Sequence, residues 1–142
     1  DKLDAKLAQA VMSIGAVKAF EIGDGTSVVT STGSENNDSF YMDGGNVLKR
    51  TNHSGGTLGG MSDGSPILVR ASFKPTPSIF QKQDTVNRSH EEITMEIKGR
   101  HDPLIGPRAV VVVESMCALT ILDLLMQNAT ARIDNLKKIY LS

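Results

Sequence analysis

The chain has 142 residues, of which 15 are basic and 16 acidic, and its formal net charge is −1. This balance gives no sign of a nucleic-acid footprint or of a basic patch for a membrane surface. Aromatic residues make up 4% of the chain and tryptophan is absent, so no base-stacking platform is expected. A single domain over residues 1–142 would bury about 68–70% of the surface that the unfolded chain exposes.

Cysteine and histidine usage predicts that the protein has no metal centre. Cys117 is the only cysteine, which excludes an internal disulfide and a cysteine-based metal site. It lies in an apolar helical pattern, where a buried inert thiol is favoured over a nucleophile. The three histidines stand in unrelated sequence contexts and form no metal-binding constellation.

No membrane-spanning segment is expected, because acidic residues interrupt the most apolar region. The apolar run 109–113 meets Glu114, and the run 119–122 meets Asp123. The first residue is Asp1 rather than Met, which indicates a segment cut from a longer chain, and any targeting signal before it is invisible.

The first part of the chain predicts a helix and two strands. Apolar residues recur at helical spacing over residues 3–14, and Gly15 is suited to the C-terminal stop. Residues 17–22 predict a strand that ends at Gly23-Asp24-Gly25. Because Asp-Gly favours a hairpin, residues 27–32 are predicted to form a returning strand.

Glycine and proline divide the middle of the chain. Residues 33–39 predict a polar loop and residues 47–51 a short strand. Five glycines fall within the eleven residues 54–64. Residues 67–73 alternate as a strand with Ile67, Val69, Ala71 and Phe73 on one face, and residues 74–78 end it.

The last part predicts a loop, a strand and a long helix. Residues 81–91 are polar and predict a loop. Apolar residues alternate over 92–98, as in a half-buried antiparallel strand. Residues 108–131 are apolar on nearly every side, which is typical of a helix buried on most faces. The order of elements indicates an α+β fold, an antiparallel sheet with packed helices.

Three segments could carry chemistry. The glycine-rich segment 54–64 could cradle a phosphate or a ring edge with its backbone amides, or it could simply allow a tight crossing between strands. Residues 74–78, a stiff Lys-Pro-Thr-Pro-Ser segment, could grip a phosphate-bearing ligand or form an ordinary proline-rich strand exit.

The third segment, Arg100-His101-Asp102, sits between a glycine and a proline. Arg100 offers a planar fork for a phosphate or carboxylate, and Asp102 could accept a proton if a cation keeps it ionised. The alternative is a local ion pair between Arg100 and Asp102 that caps the strand.

Seven motifs recur in a recognisable order: MSIGAVK (12–18), EIGDG (21–25), GSENND (33–38), TNHSGGTLGGMSDG (51–64), KPTPS (74–78), KGRHDP (98–103) and PRAVVVVESMCAL (107–119). Their order and spacing resemble the C-terminal part of the chorismate synthase family, over nearly the whole chain. In that family Asn or Ser is frequent where this chain has Asp63.

The resemblance implies the last step of the shikimate pathway, in aromatic amino acid biosynthesis. There 5-enolpyruvylshikimate 3-phosphate loses phosphate in a 1,4-anti elimination that gives chorismate. Reduced FMN is implied as cofactor, lending electron density as phosphate leaves, with no net redox change. The flavin could be reduced by the enzyme's own NADPH-dependent (NADP-linked) activity or by an external reductase.

The resemblance also implies site residues, by position in the matching motifs. Asp102 would be catalytic, assisting protonation of the flavin, and Arg100 would also meet the anionic substrate. The implied flavin contacts are Gly15, Ala16, Gly59, Lys74, Pro75, Thr76, Pro77, Ser78 and Arg100.

The implied whole is a cytoplasmic homotetramer with a β-α-β sandwich core. The family's two catalytic histidines and most of its substrate-binding arginines lie in an N-terminal half that is absent, so we expect this chain alone to be inactive. Two alternatives stay open: a flavin- or phosphate-binding module without chemistry, and a structural piece whose apolar helices build the core and subunit contacts.

Overall fold

The computed structural model describes residues 1–101 and 104–141. Within these ranges it has an α+β fold, as the sequence predicts. Its elements are α1 (Leu3–Met12), β1 (Val17–Ile22), a 3-10 helix (Gly25–Thr30), β2 (Phe40–Asp43), β3 (Asn46–Lys49), β4 (Thr57–Leu58), β5 (Met61–Ser62), β6 (Val69–Phe73), β7 (Lys82–Val86), β8 (Glu92–Glu96), α2 (Gly106–Thr130) and α3 (Ile133–Tyr140).

The strands of the described ranges form four separate antiparallel pairs: β1–β6, β2–β3, β4–β5 and β7–β8. The β1–β6 pair alone joins strands that are distant in the chain, with Phe20 opposite Ala71 and Ile22 opposite Val69. Its far end continues into the neighbouring loop, where the Lys74 N–H donates to the Ala16 carbonyl at 2.9 Å. This pairing therefore sets the first residues of the Lys-Pro-Thr-Pro-Ser segment beside the end of α1.

The described core is small and centres on α1. Leu3, Leu7 and Val11 repeat every four residues, so they share one helix face, and all three are buried together with Val17 of β1. This face packs against α2 and β1. The predicted amphipathic helix is confirmed, and it ends at Met12, shortly before Gly15.

The returning strand predicted over residues 27–32 is wrong, because the chain forms a 3-10 helix there. The Glu21 carboxylate accepts hydrogen bonds from the Thr26 N–H at 3.0 Å and from the Thr26 hydroxyl at 2.6 Å. These bonds pull the chain back over the end of β1. The chain after the Asp-Gly pair therefore forms a 3-10 helix rather than a hairpin.

The loop predicted over residues 81–91 is also wrong, because residues 82–86 form β7. The partner strand β8 decides this, since it offers a full ladder and the Thr94 hydroxyl donates to Asp84 Oδ1 at 2.9 Å. Strand β8 itself was expected to be half-buried, but all of its residues are exposed, including Ile93 and Met95. In the described residues the hairpin is mostly exposed, with Gln83 half-buried and donating to the Pro77 carbonyl at 3.1 Å.

The long helix α2 forms where the apolar pattern predicts it, but the expectation that it is buried on most faces is wrong. It contains no buried residue, and Val111, Leu119 and Leu125 are each more than 60% exposed. Within the described residues α2 packs on α1 and α3 only in part. Most apolar side chains of α2 are therefore exposed in the described part of the chain.

The expectation that no segment could span a membrane is wrong for α2 by length and composition. Residues Gly106–Thr130 include an 18-residue window with a mean hydropathy of 2.1, of which 6% is buried. Glu114 and Asp123 are too few to lower that mean substantially. The same length and composition occur in core helices, so the pattern does not establish a membrane segment.

Candidate functional site

Two adjoining cavities lie where the Lys-Pro-Thr-Pro-Ser segment approaches the start of α2. The first has a volume of about 520 Å³ and an apolar wall that includes Phe73, Phe80 and Leu104. Lys74, Thr76, Ser78 and His101 add polar groups to the same cavity. An apolar wall with a few convergent polar groups is typical of a cofactor site.

The second cavity, of about 530 Å³, is more polar. It shares Thr76, Ser78, His101 and Ile105 with the first cavity and adds Arg100 and Arg108. Ile105 directly precedes the first turn of α2, so both cavities reach the start of that helix. The two arginines suit this end of the site to a phosphate or carboxylate.

His101 forms part of the wall of both cavities. Its Nε2 lies 3.0 Å from the Ile97 carbonyl oxygen, and since a carbonyl only accepts, Nε2 carries the proton in this bond. The ring also meets the Phe80 ring edge-on, with centroids 4.4 Å apart. These two contacts hold the imidazole in one orientation.

Arg100 is exposed, and no hydrogen bond or ion pair joins its guanidinium to residues 1–101 or 104–141. The predicted catalytic residue Asp102 lies outside the described residues, as does Pro103. The alternative of an Arg100–Asp102 ion pair therefore stays a prediction, like the catalytic role of Asp102.

Gly15 and Ala16 lie beside the Lys-Pro-Thr-Pro-Ser segment. Ala16 has a left-handed backbone with φ of +70°, and its carbonyl receives the Lys74 N–H. The structure thus brings two of the four predicted flavin-binding segments, residues 74–78 and Arg100, to the same pair of cavities, whereas residues 15–16 contact the Lys-Pro-Thr-Pro-Ser segment but line neither cavity.

The fourth predicted segment lies apart. Gly59 and Gly60 form the turn between β4 and β5, and the Gly60 carbonyl accepts the Leu3 N–H at 2.7 Å. This places the turn at the N-terminal end of α1, whereas Ala16 follows its C-terminal end. A helix of ten residues is about 15 Å long. Gly59 is therefore separated from the two cavities by the length of α1.

The glycine-rich segment was interpreted either as a tight crossing between strands or as a cradle for a ligand, and its glycines differ in which of these they allow. Gly55 and Gly56 have positive φ and press against backbone, Gly55 against Gly23 and Gly56 against Pro66, so a Cβ at either would collide. These two glycines allow segments of the chain to cross in close contact. A Cβ on Gly59 would meet nothing within 4 Å, so that position stays open to a ligand.

Sequence reasoning missed a buried charge cluster around Lys49, the last residue of β3. Its Nζ lies 2.7 Å from Asp63 Oδ2, 3.2 Å from Asp38 Oδ2 and 2.9 Å from Ser54 Oγ. The three charged side chains are only 5%, 10% and 8% exposed for Lys49, Asp38 and Asp63. The residues come from separate polar segments, so no local pattern indicated that they meet; the one signal was the unexplained charge of Asp63 beside the glycines.

The cluster holds all three groups in their charged forms. Burial alone would raise the pKa of Asp38, but hydrogen bonds from Ser54, His53 and Thr51 outweigh it and set that pKa far below its ordinary value. The Lys49 hydrogen bond lowers the pKa of Asp63. Burial would lower the pKa of Lys49, but Asp63 and Asp38 together raise it.

A pH dependence of stability follows from these directions. The pKa values of Asp38 and Asp63 are lower in the folded state, so their contribution is complete above about pH 4 and is lost as pH falls through the folded values. The Lys49 contribution is complete below about pH 10 and is lost as pH rises through its raised folded pKa.

We predict that Asp38→Asn lowers stability at neutral pH but flattens its acid dependence. The free energy of unfolding, measured by urea denaturation, should fall less steeply between about pH 5 and pH 2 than in the unsubstituted protein. Asp134→Asn, at an exposed position in α3, is the matched control and should keep the original slope. Equal slopes for Asp38→Asn and the unsubstituted protein would contradict the prediction.

Comparison with known proteins identifies the family. The family model described as chorismate synthase matches residues 1–126. Chorismate synthases of Agathobacter rectalis and Lachnoclostridium phytofermentans are 61% and 62% identical over 140 and 141 residues, which is 99% of this chain and 38% of each relative. A crystal structure of chorismate synthase superposes with a TM-score of 0.70 at 30% identity, covering 96% of this chain and 34% of that chain.

The chain thus spans well under half the length of the curated relatives that it matches. The match nevertheless runs through all seven motifs, from the first residues of α1 into α2. The chain belongs to the chorismate synthase family.

Proposed function

We propose that this chain is the C-terminal part of a chorismate synthase and contributes one wall of the site for reduced FMN and 5-enolpyruvylshikimate 3-phosphate. The whole enzyme would convert that substrate to chorismate and phosphate by 1,4-anti elimination. One observation carries the proposal: residues 74–78 meet Arg100 and His101 around two adjoining cavities.

The residues present fit a flavin mononucleotide. The apolar wall of the first cavity, with Phe73, Phe80 and Leu104, suits a flat ring system. The Thr76 and Ser78 hydroxyls and the nearby cations suit a phosphate group. Bound reduced FMN would supply electron density to the substrate ring as phosphate departs.

The chain's own side chains would then have distinct tasks. Arg100 would present two parallel N–H groups to a phosphate or carboxylate. Lys74 would act as a mobile point charge at the mouth of the first cavity. Asp102 would hold a proton at the reactive ring nitrogen of the flavin.

We further propose that residues 1–142 form one domain that is completed by the rest of the enzyme. A groove of about 650 Å³ between β6 and α2, lined by Val69, Ala71, Val110 and Val113, supports this proposal. So does the exposed apolar surface of α2. Segments of the missing N-terminal half would cover both surfaces, in a cytoplasmic enzyme that assembles as a homotetramer.

A binding or structural module without chemistry is the second candidate for this chain alone. The small core and the uncovered α2 favour it, because most of the apolar surface is placed to build a larger core. Soaking the chain with FMN distinguishes the two roles. No bound flavin would favour the structural role.

Reconstitution tests the leading proposal. We predict no chorismate from the 142-residue chain with reduced FMN and substrate, and chorismate once the N-terminal part of a close relative is added. The assay follows chorismate by its absorbance under anaerobic conditions. Activity of the isolated chain would contradict the incomplete site, and persistent inactivity of a folded mixture that binds FMN would favour the binding module.

We predict that Arg100→Lys in the full-length enzyme raises the Kd for FMN or the KM for substrate by about tenfold or more, because an ammonium cannot reproduce the guanidinium fork. Fluorescence titration and steady-state kinetics measure the two constants. Arg88→Lys is the matched control, since Arg88 is exposed in the β7–β8 turn, and should leave both unchanged. Unaltered constants in Arg100→Lys would rule out anion binding by this residue.

We predict that Asp102→Ala in the full-length enzyme lowers kcat by about 10²-fold or more, the loss typical of a missing proton-transfer group. The Kd for FMN should change far less, because the carboxylate would act on a proton rather than hold the phosphate. Asp134→Ala, at an exposed position in α3, serves as control. Turnover at the unsubstituted rate would refute the catalytic role.

A further inference from the structure

Both segments that meet at the two cavities are attached to the β7–β8 hairpin. The Lys-Pro-Thr-Pro-Ser segment precedes β7, and the Gln83 side chain in β7 donates to the Pro77 carbonyl at 3.1 Å. Arg100 follows the end of β8 at Glu96. The ladder ends with Lys82 opposite Glu96, so strand pairing does not fix the residues beyond it. The position of Arg100 relative to the first segment therefore depends on contacts outside the ladder.

The chain between β8 and Arg100 passes through Gly99, whose backbone a residue with a Cβ rarely adopts. Its φ is +142°, and within the described ranges no atom beyond its chain neighbours lies within 4 Å of the place where a Cβ would stand. Because glycine has the widest range of backbone conformations, packing at this position does not limit the direction in which the chain leaves β8. A separate contact must set the direction of Arg100.

The His101 side chain makes that contact and closes the turn 97–101. Its Nε2–H donates to the Ile97 carbonyl at 3.0 Å, a bond that spans residues 98–100. The same ring meets Phe80 edge-on, with centroids 4.4 Å apart and an angle of 84° between the ring planes. Phe80 follows closely after the Lys-Pro-Thr-Pro-Ser segment. One imidazole thus joins the turn that carries Arg100 to the segment that lines both cavities.

The second cavity depends on where this turn lies. Arg100 lines that cavity together with the hydroxyl residues Thr76 and Ser78, and His101 lines it as well. A shift of the turn 97–101 away from Phe80 would carry the guanidinium away from the two hydroxyls. Since a planar fork binds an anion through its orientation as well as its charge, such a shift would weaken anion binding.

We propose that His101 is a positioning residue, which directs the Arg100 guanidinium into the second cavity. It does so by closing the turn 97–101 and holding that turn against Phe80. The inference rests on the proposed function and deepens it, since Arg100 is there the group that binds the anion. His101 lies outside the buried core, so its substitution should leave the fold intact.

The test uses the full-length enzyme with His101→Asn and with His101→Gln. The asparagine amide is too short to replace Nε2, whereas the glutamine amide can still offer an N–H to the Ile97 carbonyl. For His101→Asn we expect the Kd for FMN or the KM for substrate, whichever Arg100→Lys raises, to rise by about fivefold to tenfold, with kcat at saturation within about threefold of the original. The glutamine variant should recover part of the lost affinity.

His90→Asn is the matched control. His90 is exposed in the β7–β8 turn and has a left-handed backbone, with φ of +62°, which asparagine also adopts. This variant should leave both constants unchanged. In the flavin-free enzyme, amide exchange over residues 97–101 should quicken in His101→Asn and keep its original rate in His90→Asn.

A double-mutant cycle with Arg100→Lys shows whether His101 acts through Arg100. Once the guanidinium fork is gone its orientation no longer matters, so adding His101→Asn to Arg100→Lys should raise the affected constant by less than about twofold more. A general loss of stability would instead multiply the two effects. Multiplied effects, or unchanged constants in His101→Asn, would overturn the positioning role.

These measurements separate the failure of this inference from the failure of the proposed function. If the unsubstituted enzyme binds neither FMN nor the substrate, the proposed function fails, while faster exchange over residues 97–101 in His101→Asn still supports closure of the turn by His101. Exchange that stays unchanged in that variant would refute the role of His101, whether or not the flavin binds.

Discussion

The β1–β6 ladder is the constraint on which the described structure depends. It joins residues 17–22 to residues 69–73, so that everything between them must leave and return at the same edge. At one end of the ladder Lys74 is bound to Ala16. At the other end Gly23 receives the chain crossing from Gly55, and both residues have positive φ and no room for a Cβ.

This constraint explains why the glycines divide into two kinds. Gly23, Gly55 and Gly56 lie where backbones touch, and any side chain there would push the ladder and the crossing loop apart. Gly59 and Gly60 lie in a turn that needs left-handed backbone at two successive positions. Of these five glycines only Gly59 has open space where a Cβ would stand, because Lys2 occupies that place at Gly60.

The molecule exposes more apolar surface than its described residues cover. Leu7 and Val11 are fully enclosed, yet α2 and the β7–β8 hairpin expose rows of valine, leucine, isoleucine and methionine. Large exposed apolar surfaces of this kind mark sites of association. The chain spans 38% of the length of the curated relatives that it matches. We propose that the rest of the enzyme covers the exposed apolar surfaces.

The sequence by itself determined the elements whose signal is local. The spacing of Leu3, Leu7 and Val11 predicted α1, alternation predicted β6 and β8, and the seven motifs led to the family. Elements that form through contact with a distant part of the chain could not be predicted from local pattern. Strand β7 forms because β8 pairs with it, and the chain after β1 forms a 3-10 helix where Thr26 donates to the Glu21 carboxylate.

Tertiary structure alone decided which polar groups meet. The start of α2 brings residues 74–78 and Arg100 to the same cavities, and the β1–β6 ladder sets Ala16 beside Lys74, while Gly59 is held at the other end of α1. Lys49, Asp38 and Asp63 each look like an ordinary solvated charge in the sequence, and become one buried cluster only when three loops close on the end of β3. Spacing along the chain records helical and strand periods, but the distance between charges in separate loops is set by folding alone.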